Sequence, residues 1–316
     1  MNNHKKTGRD DQMSKNACAW QPQLETAEQV RDKSFATGEL PLEKGRYTLV
    51  WGAFCPWATP VAILLDLLHL DQVIGKSPVY ALRHTGVDND WFFGEQDSEL
   101  DPLLQINRLS KSYQKTEPAF TGRASVPALV DLKTGKVVNH SSAQLLSELS
   151  RQWKKFIPKD APELFPVRLE TQILQTNQQI ITNLAQVSGQ IEESATQEEY
   201  ERLVDQYFDQ LAVFEKQLEA QPYLLGRQLT LSDLLLFVQL VRFDVVYYYK
   251  NKLNKQPLSA LPNLWHYARR LYHLQAFKQN TDFLAIKQHF YQGTQVVAGF
   301  SNVLPVGPDV SAWESR

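Results

Sequence analysis

The chain of 316 residues is poor in sulfur, with two cysteines and two methionines. Cys18 lies in a polar leader, and Cys55 lies in the tetrapeptide Cys55–Ala58. Two cysteines placed in this way exclude a disulfide framework and favour a reducing cytoplasm. The seven histidines are scattered without metal-ligand spacing, so no metal site is expected.

A strong charge imbalance and long apolar runs are also missing. The net charge of −2 gives no reason to expect a nucleic-acid or membrane-surface partner. No apolar run approaches the roughly 20 residues that span a bilayer, and the start Met1–Lys6 is not followed by the apolar stretch of a secretory signal. A hydrophobic content of 43% is typical of a globular protein, and the length favours two domains.

The pattern of apolar residues divides the chain into four parts. Residues 1–45 are a polar leader that is loose or wraps the surface, and 293–316 form a C-terminal tail. Residues 46–155 read as strand, helix and strand, then strand, strand and helix, with strands over 46–51, 75–82, 124–131 and 137–139 and helices over 61–68 and 143–149. This order predicts an α/β thioredoxin-like domain.

Residues 162–292 predict an all-helical domain. Helix-period apolar positions mark 167–187, 198–218 and 263–274. Thr230 and Asp233 form a capping-box variant ahead of an apolar run. Because that run is apolar nearly all round, we expect it to be the central buried helix of its domain.

Cys55 is the candidate nucleophile. It follows the strand 46–51, and Pro56 suits the first position of a helix. A thiol at a helix N-terminus is near unpaired N–H groups and the positive end of the helix dipole, which favour the nucleophilic thiolate. The alternative is a buried cysteine that serves as a small hydrophobic residue.

Several motifs in order resemble those of the glutathione transferases, and more narrowly of the glutathionyl-hydroquinone reductases, the xi class. The match covers most of residues 46–308. It rests on Cys55–Ala58, Gly122-Arg123 before Val126-Pro127, Leu229-Thr230 with Asp233, Leu240–Tyr247, Pro262–Trp265, Ile286–His289 and Leu304–Pro308.

The resemblance implies a mechanism. Cys55 would attack the sulfur of a glutathionyl adduct, and a second glutathione would resolve the mixed disulfide. Ala58 stands where a dithiol motif has its second cysteine, so an outside thiol is required. Tyr247 would donate a hydrogen bond that lowers the pKa of Cys55, unless it is simply one of three neighbouring aromatic residues.

The resemblance also implies a glutathione site and a homodimer. Val126 would pair through its backbone with the cysteinyl part, and Ser141 and Ser142 would hold the γ-glutamyl part. Arg123 would pair with a carboxylate and Trp91 would pack against the peptide. Each also has an ordinary interpretation: a solvated charge for Arg123, a core aromatic for Trp91 and a plain helix cap for Ser142.

Three departures from the family pattern concern the chemistry. Ser141 replaces a glutamate that binds the amino group of glutathione, and residues 186–193 lack the proton-donating tyrosine. A second family tyrosine aligns with Phe290, although Tyr291 lies beside it, and both are expected to line the acceptor pocket. Cleavage of an aromatic thioether needs a proton donor, whereas cleavage of a disulfide does not.

Three functions therefore stay open at this point. The first is a glutathione-dependent transferase or thiol oxidoreductase that acts on a glutathionylated aromatic or a small mixed disulfide. The second is a non-catalytic protein of the same fold that binds quinones or hydrophobic conjugates. The third is the use of another low-molecular-weight thiol, for which the change at Ser141 leaves room.

Overall fold

A four-stranded mixed sheet is the centre of the N-terminal domain. The computed structural model describes residues 30–84, 87, 89–292 and 303–315; Cys18, most of the predicted leader and part of the predicted tail lie outside them. The strands are β1 (Tyr47–Trp51), β2 (Gly75–Pro78), β3 (Ala128–Asp131) and β4 (Lys136–Asn139), in the spatial order β2-β1-β3-β4. β1 is parallel to β2 and antiparallel to β3, which pairs antiparallel with β4. The predicted thioredoxin-like fold is confirmed.

Two predicted strands are shorter than the sequence suggests. β2 ends at Pro78, opposite Trp51, because β1 ends there and offers no further partner. β3 begins only at Ala128, so Ala124–Pro127 form a loop rather than the start of the strand. This loop contains the cis peptide bond Val126–Pro127.

Among the described residues, the helices of this domain are α1 (Thr59–Leu67), α2 (Ser110–Thr116) and α3 (Ser142–Gln152). The placement of Pro56 at the first helical position is wrong, because α1 begins at Thr59 and Pro60 is the proline in its first turn. Helix α2 was not predicted. It has seven residues and buries only Ser112 and Tyr113, which is too few apolar positions to produce a helical period.

The second domain is helical, as predicted. Its helices are α4 (Glu170–Ile180), α5 (Gln186–Glu193), α6 (Gln197–Glu219), α7 (Leu231–Arg242), α8 (Pro262–Tyr272), α9 (Gln275–Lys278) and α10 (Phe283–Tyr291). A π-helical turn, Ile181–Ala185, joins α4 to α5, and another, Phe243–Tyr247, continues α7. All twelve residues of α7 are buried, which confirms the predicted central helix.

The described end of the predicted leader packs onto the N-terminal domain. Phe35 meets Trp153 edge to face at a centroid distance of 5.3 Å. The Glu148 carboxylate in α3 accepts hydrogen bonds from Ser34 Oγ at 2.5 Å and from the Phe35 backbone N–H at 2.7 Å. Residues 30–40 therefore hold the side of α3. A bilayer-spanning helix is not found among the residues that the structure describes.

Candidate active site

The turn between β1 and α1 presents Cys55. The Cys55 N–H donates to Gly52 O at 2.9 Å, and Cys55 O accepts from the Thr59 N–H at 3.0 Å and from Thr59 Oγ1 at 2.8 Å. The bond from residue 59 to residue 55 has the helical i to i−4 spacing, although regular helix begins only at Thr59. Cys55 thus lies four residues before the start of α1, and its carbonyl is bonded to the first residue of that helix.

The sulfur of Cys55 lies against the loop that contains the cis peptide bond. Sγ donates to Val126 O across 3.5 Å, so two predicted site residues are in contact. Only 4% of Cys55 is exposed, and only 9% of Val126. The sulfur is therefore nearly covered rather than open at a helix start, whereas Trp57, Ser125 and Ser142 are half-buried.

The N-terminus of α3 is tied to the same turn. Ser142 Oγ donates to Trp57 O at 2.7 Å, which links the first residue of α3 to the residue two places after Cys55. Ser141 is the N-cap, and its Oγ accepts from the Gln144 N–H at 3.3 Å. Both serines act as structural hydrogen-bonding groups here, and both are half-buried beside the cysteine turn.

A carboxylate from the N-terminal segment lies next to the serine that replaces the family glutamate. Asp32 Oδ1 accepts from the His140 N–H at 2.6 Å and lies 2.7 Å from His140 Nδ1. The Lys33 carbonyl accepts from Asn139 Nδ2 at 2.9 Å and from Gln144 Nε2 at 3.3 Å. An acidic group is thus present one residue before Ser141, from a segment that sequence patterning did not connect with this site.

An aromatic cluster covers the other side of the cysteine turn. Phe54 stacks on the His289 ring at 4.2 Å and contacts the tilted Trp91 ring at 4.8 Å, and the Arg83 guanidinium lies 4.6 Å from the centre of the Trp91 ring. Trp91 is 2% exposed, as its core interpretation expects, whereas Arg123 is exposed. The contact of either residue with glutathione stays a prediction.

His289 is neutral at physiological pH. Burial, and after it the positive charges of Arg83 and Arg123, lower the pKa of His289 to about 3, while a hydrogen bond with the Ala81 backbone acts in the opposite direction. A histidine that is uncharged at physiological pH can pack against Phe54 without the desolvation cost of an imidazolium. The sequence offered no signal for this, because His289 and Phe54 are far apart along the chain.

The helical domain contributes Tyr247, Phe290 and Tyr291. Tyr247 is 4% exposed, its hydroxyl donates to Gln239 Oε1 at 3.5 Å, and its ring meets Phe290 edge to face at 6.4 Å. Tyr291 Oη donates to Val245 O at 3.2 Å, and burial raises the pKa of Tyr291 to about 12. Tyr247 and Phe290 are thus brought together, while the Tyr291 hydroxyl is engaged with backbone.

Arg242 was missed by the sequence reasoning. This last residue of α7 is fully buried and donates to Phe54 O at 3.1 Å, to Ala53 O at 2.8 Å and to Thr59 Oγ1 at 2.9 Å. The turn that contains Cys55 is therefore held from the helical domain. For metal chemistry, the described part of the chain has no group of three His, Cys, Asp or Glu side chains that would hold an ion.

Comparison with known proteins agrees with this arrangement. Residues 197–270 match the family model of the glutathione S-transferase C-terminal domain. The chain is 30% identical over 274 residues to the glutathionyl-hydroquinone reductase YqjG of Escherichia coli, a match that covers 86% of this chain and 82% of the relative. The chain belongs to the glutathionyl-hydroquinone reductase family.

Solved structures of this family have the same fold. The xi glutathione S-transferase of Phanerochaete chrysosporium is 31% identical with a TM-score of 0.82, and the match covers 91% of this chain and 98% of that one. The glutathione-bound structure of YqjG from Escherichia coli is 29% identical with a TM-score of 0.76, covering 84% and 86%. The family resemblance inferred from short motifs is thus confirmed over most of the chain.

Proposed function

We propose that this chain is a glutathione-dependent thiol transferase of the glutathionyl-hydroquinone reductase type, with Cys55 as nucleophile. The observation that carries the proposal is the contact of 3.5 Å between Cys55 Sγ and Val126 O, which puts the sulfur beside the backbone that is proposed to pair with glutathione. The relative solved with glutathione bound supports the same co-substrate.

The proposed reaction has two displacements. The Cys55 thiolate attacks the glutathionyl sulfur of the adduct, the bond from that sulfur to the acceptor breaks, and its electron pair leaves with the acceptor. If the bond that breaks joins the sulfur to an aromatic carbon, this carbon takes up a proton and the free hydroquinone is released. A second glutathione thiolate then attacks the mixed disulfide and releases oxidised glutathione and the Cys55 thiolate.

Glutathione is proposed to lie along the Val126 backbone with its γ-glutamyl end at the N-terminus of α3. There the Ser142 N–H is directed along the start of a helix, and the Ser142 hydroxyl turns from Trp57 O to the incoming carboxylate. Arg123 and Trp91 complete the proposed site on the side of the loop, and Ser141 supports it as the N-cap. Tyr247 is proposed to act on the Cys55 sulfur from the helical domain.

The acceptor preference follows from the missing proton donors. No tyrosine occurs in residues 186–193, and Phe290 has no hydroxyl. A disulfide leaving group departs as a thiolate and needs no acid, whereas general acid catalysis is worth about 10²–10⁴-fold to a group that must be protonated. We therefore propose that mixed disulfides react faster here than glutathionyl-hydroquinones.

One observation favours a second candidate, a non-catalytic binding protein for quinones or hydrophobic conjugates. With only 4% of Cys55 exposed, its sulfur is packed much as a small hydrophobic residue would be. The enzyme proposal requires substrate binding to displace the contact between Sγ and Val126 O. The binding protein requires no such displacement.

Mass spectrometry of the intact protein separates the two candidates. After incubation with a glutathionyl-hydroquinone, or separately with a glutathione mixed disulfide, we expect a gain of one glutathionyl group on Cys55, faster with the disulfide. Cys55→Ala should show no adduct and no turnover while it keeps its fold by circular dichroism. A wild-type protein that binds both compounds without an adduct would establish the binding protein instead.

The proposed setting and assembly are a cytoplasmic homodimer. The homodimer comes from the family resemblance alone, and the cytoplasmic setting comes from the scarcity of cysteine, which suits a reducing compartment. Light scattering of the purified protein at several concentrations measures the assembly directly, and a constant mass of about 36 kDa would exclude the dimer.

A further inference from the structure

The turn that presents Cys55 is held by hydrogen bonds from an arginine of the other domain. Arg242 ends α7, in the helical domain, and is fully buried. Its Nε–H donates to Phe54 O at 3.1 Å, and Nη2 donates to Ala53 O at 2.8 Å and to Thr59 Oγ1 at 2.9 Å. Nη1 donates to Val238 O, one turn back in α7, at 2.9 Å.

These acceptors lie on both sides of the nucleophile. Ala53 and Phe54 are the two residues before Cys55, and Thr59 is the first residue of α1, whose hydroxyl also donates to Cys55 O at 2.8 Å. The guanidinium therefore fixes where the turn leaves β1 and where it enters α1. The backbone between these points has little freedom to rotate.

The hydrogen bonds from Arg242 affect the ionisation of the Cys55 thiol. The sulfur already faces one carbonyl oxygen, Val126 O at 3.5 Å, and a further carbonyl facing Sγ would disfavour the thiolate more strongly, because its partial negative charge would repel the sulfur anion. The two carbonyls that precede Cys55 are instead turned to the guanidinium of Arg242. A planar fork with several donors satisfies both carbonyls and the hydroxyl together, which a single ammonium on a flexible stem does not.

We propose that Arg242 is a positioning residue for Cys55: it orients the nucleophile turn from the helical domain, so that docking of the two domains sets the reactivity of the thiol. This inference rests on the nucleophilic role proposed for Cys55 above. It assigns no contact with substrate to Arg242, which acts only through the turn.

The test is the pH dependence of Cys55 alkylation by iodoacetamide, compared with kcat/KM for a glutathione mixed disulfide. We expect wild-type alkylation to report an apparent thiol pKa below the ordinary value of about 8.5. Arg242→Met should raise this pKa by about one unit and lower kcat/KM about tenfold or more, with Arg242→Lys in between. Thr59→Val, which removes one acceptor at almost constant volume, should shift both in the same direction by less.

Arg151→Met is the matched control. Arg151 in α3 also joins the two domains, through an ion pair of 2.7 Å with Glu170 and a guanidinium 3.9 Å from the centre of the Phe165 ring, but it does not contact the cysteine turn. We expect this variant to lower the melting temperature and leave the thiol pKa unchanged. A general effect of weaker domain docking would instead move the thiol pKa in Arg151→Met as well, and would overturn the inference.

The outcomes separate this inference from the proposed function. If folded Arg242→Lys and Thr59→Val both keep the wild-type thiol pKa and kcat/KM, Arg242 does not position the nucleophile, although the enzyme proposal stands. If wild-type Cys55 itself titrates near 8.5 and gives no turnover, the proposed function fails. Where Arg242→Met does not fold, judged by near-ultraviolet circular dichroism, the other two variants decide.

Discussion

The starts of α1 and α7 are held in two different ways, one by residues of other helices and one by a cap within the helix itself. At α7 the cap is local: Asp233 Oδ2 accepts from the Thr230 N–H at 2.8 Å, and Thr230 and Asp233 form a capping box. At α1 the cap position, Ala58, has no side-chain cap. The turn before it is held instead by Ser142 and Arg242, from two other helices.

The difference separates stability from function. Asp233 is completely buried and also accepts from the Leu224 N–H at 2.9 Å and from Tyr267 Oη at 2.8 Å, so this helix start is closed and fixed. The start of α1 has no side-chain cap of its own, and residues distant in the chain hold the shape of the turn before it. A helix start with a cap of its own would be more stable but would have fewer N–H groups to offer to a bound anion.

The largest effect is expected when the cap of α7 is removed. Asp233→Ala leaves the Thr230 and Leu224 N–H groups and the Tyr267 hydroxyl without their buried acceptor, so we expect a loss of about 3 kcal/mol or more in the free energy of unfolding. Urea denaturation measures this. Turnover per folded molecule should stay near wild type, because Asp233 bonds to Leu224, Thr230 and Tyr267 and not to the cysteine turn, which Arg242 holds from the other end of α7.

The control for that variant is Asp233→Asn. Burial raises the pKa of Asp233, so the site favours the neutral form more than water does, and a neutral amide oxygen can still accept some of the bonds. We expect Asn to be less destabilising than Ala. An Ala variant as stable as wild type would show that α7 does not depend on its cap.

An effect of intermediate size is expected at the proposed acceptor pocket. Phe290→Tyr introduces a hydroxyl on α10. The centre of the Phe290 ring lies 6.4 Å from that of Tyr247 and 5.0 Å from that of His289. We expect the rate of glutathionyl-hydroquinone reduction to rise about tenfold, within the range of general acid catalysis, and the rate with a mixed disulfide to stay the same. Steady-state assays with both substrates measure the ratio.

Tyr291→Phe is the matched control for that change. Tyr291 is on the same helix as Phe290, and its hydroxyl donates to Val245 O. We expect the loss of this hydroxyl to alter neither rate by more than about twofold. An equal rise for both substrates in Phe290→Tyr would contradict a role in protonating the leaving group.

The last expected effect concerns the pH dependence of stability. The pKa of His289 is about 3 in the folded protein and about 6.5 when unfolded, so between these values the unfolded chain binds the extra proton and stability falls as pH falls. The loss is at most about 1.4 kcal/mol per pH unit. We expect His289→Phe, which keeps a ring on Phe54, to show a shallower loss of stability between pH 6 and pH 4 in urea titrations.

Above about pH 7 the histidine is neutral in both states, so the slopes of the two proteins should coincide there. Parallel slopes from pH 4 to pH 6 would mean that His289 becomes protonated in the folded protein. The packing against Phe54 described above would then have to tolerate a charge.

Local features of the chain were predicted well, and long-range ones were not. The strand 46–51, the capping box at Thr230 and Asp233, and the buried helix after it depend on residues within a few positions of one another, so their spacing is visible in the sequence. The start of α1 was placed three residues too early because Pro56 and Pro60 satisfy the same rule. Helix α2 has too few buried residues to show a period.

The sequence by itself therefore determined the fold class, the family and the one cysteine at the entrance to a helix. Only the tertiary structure decided how covered that sulfur is and what holds its turn. Arg242 lies 188 positions from Phe54, and His289 meets Phe54 from another helix again. Contacts of this kind leave no periodic pattern, because they depend on how two domains pack and not on how neighbouring residues repeat.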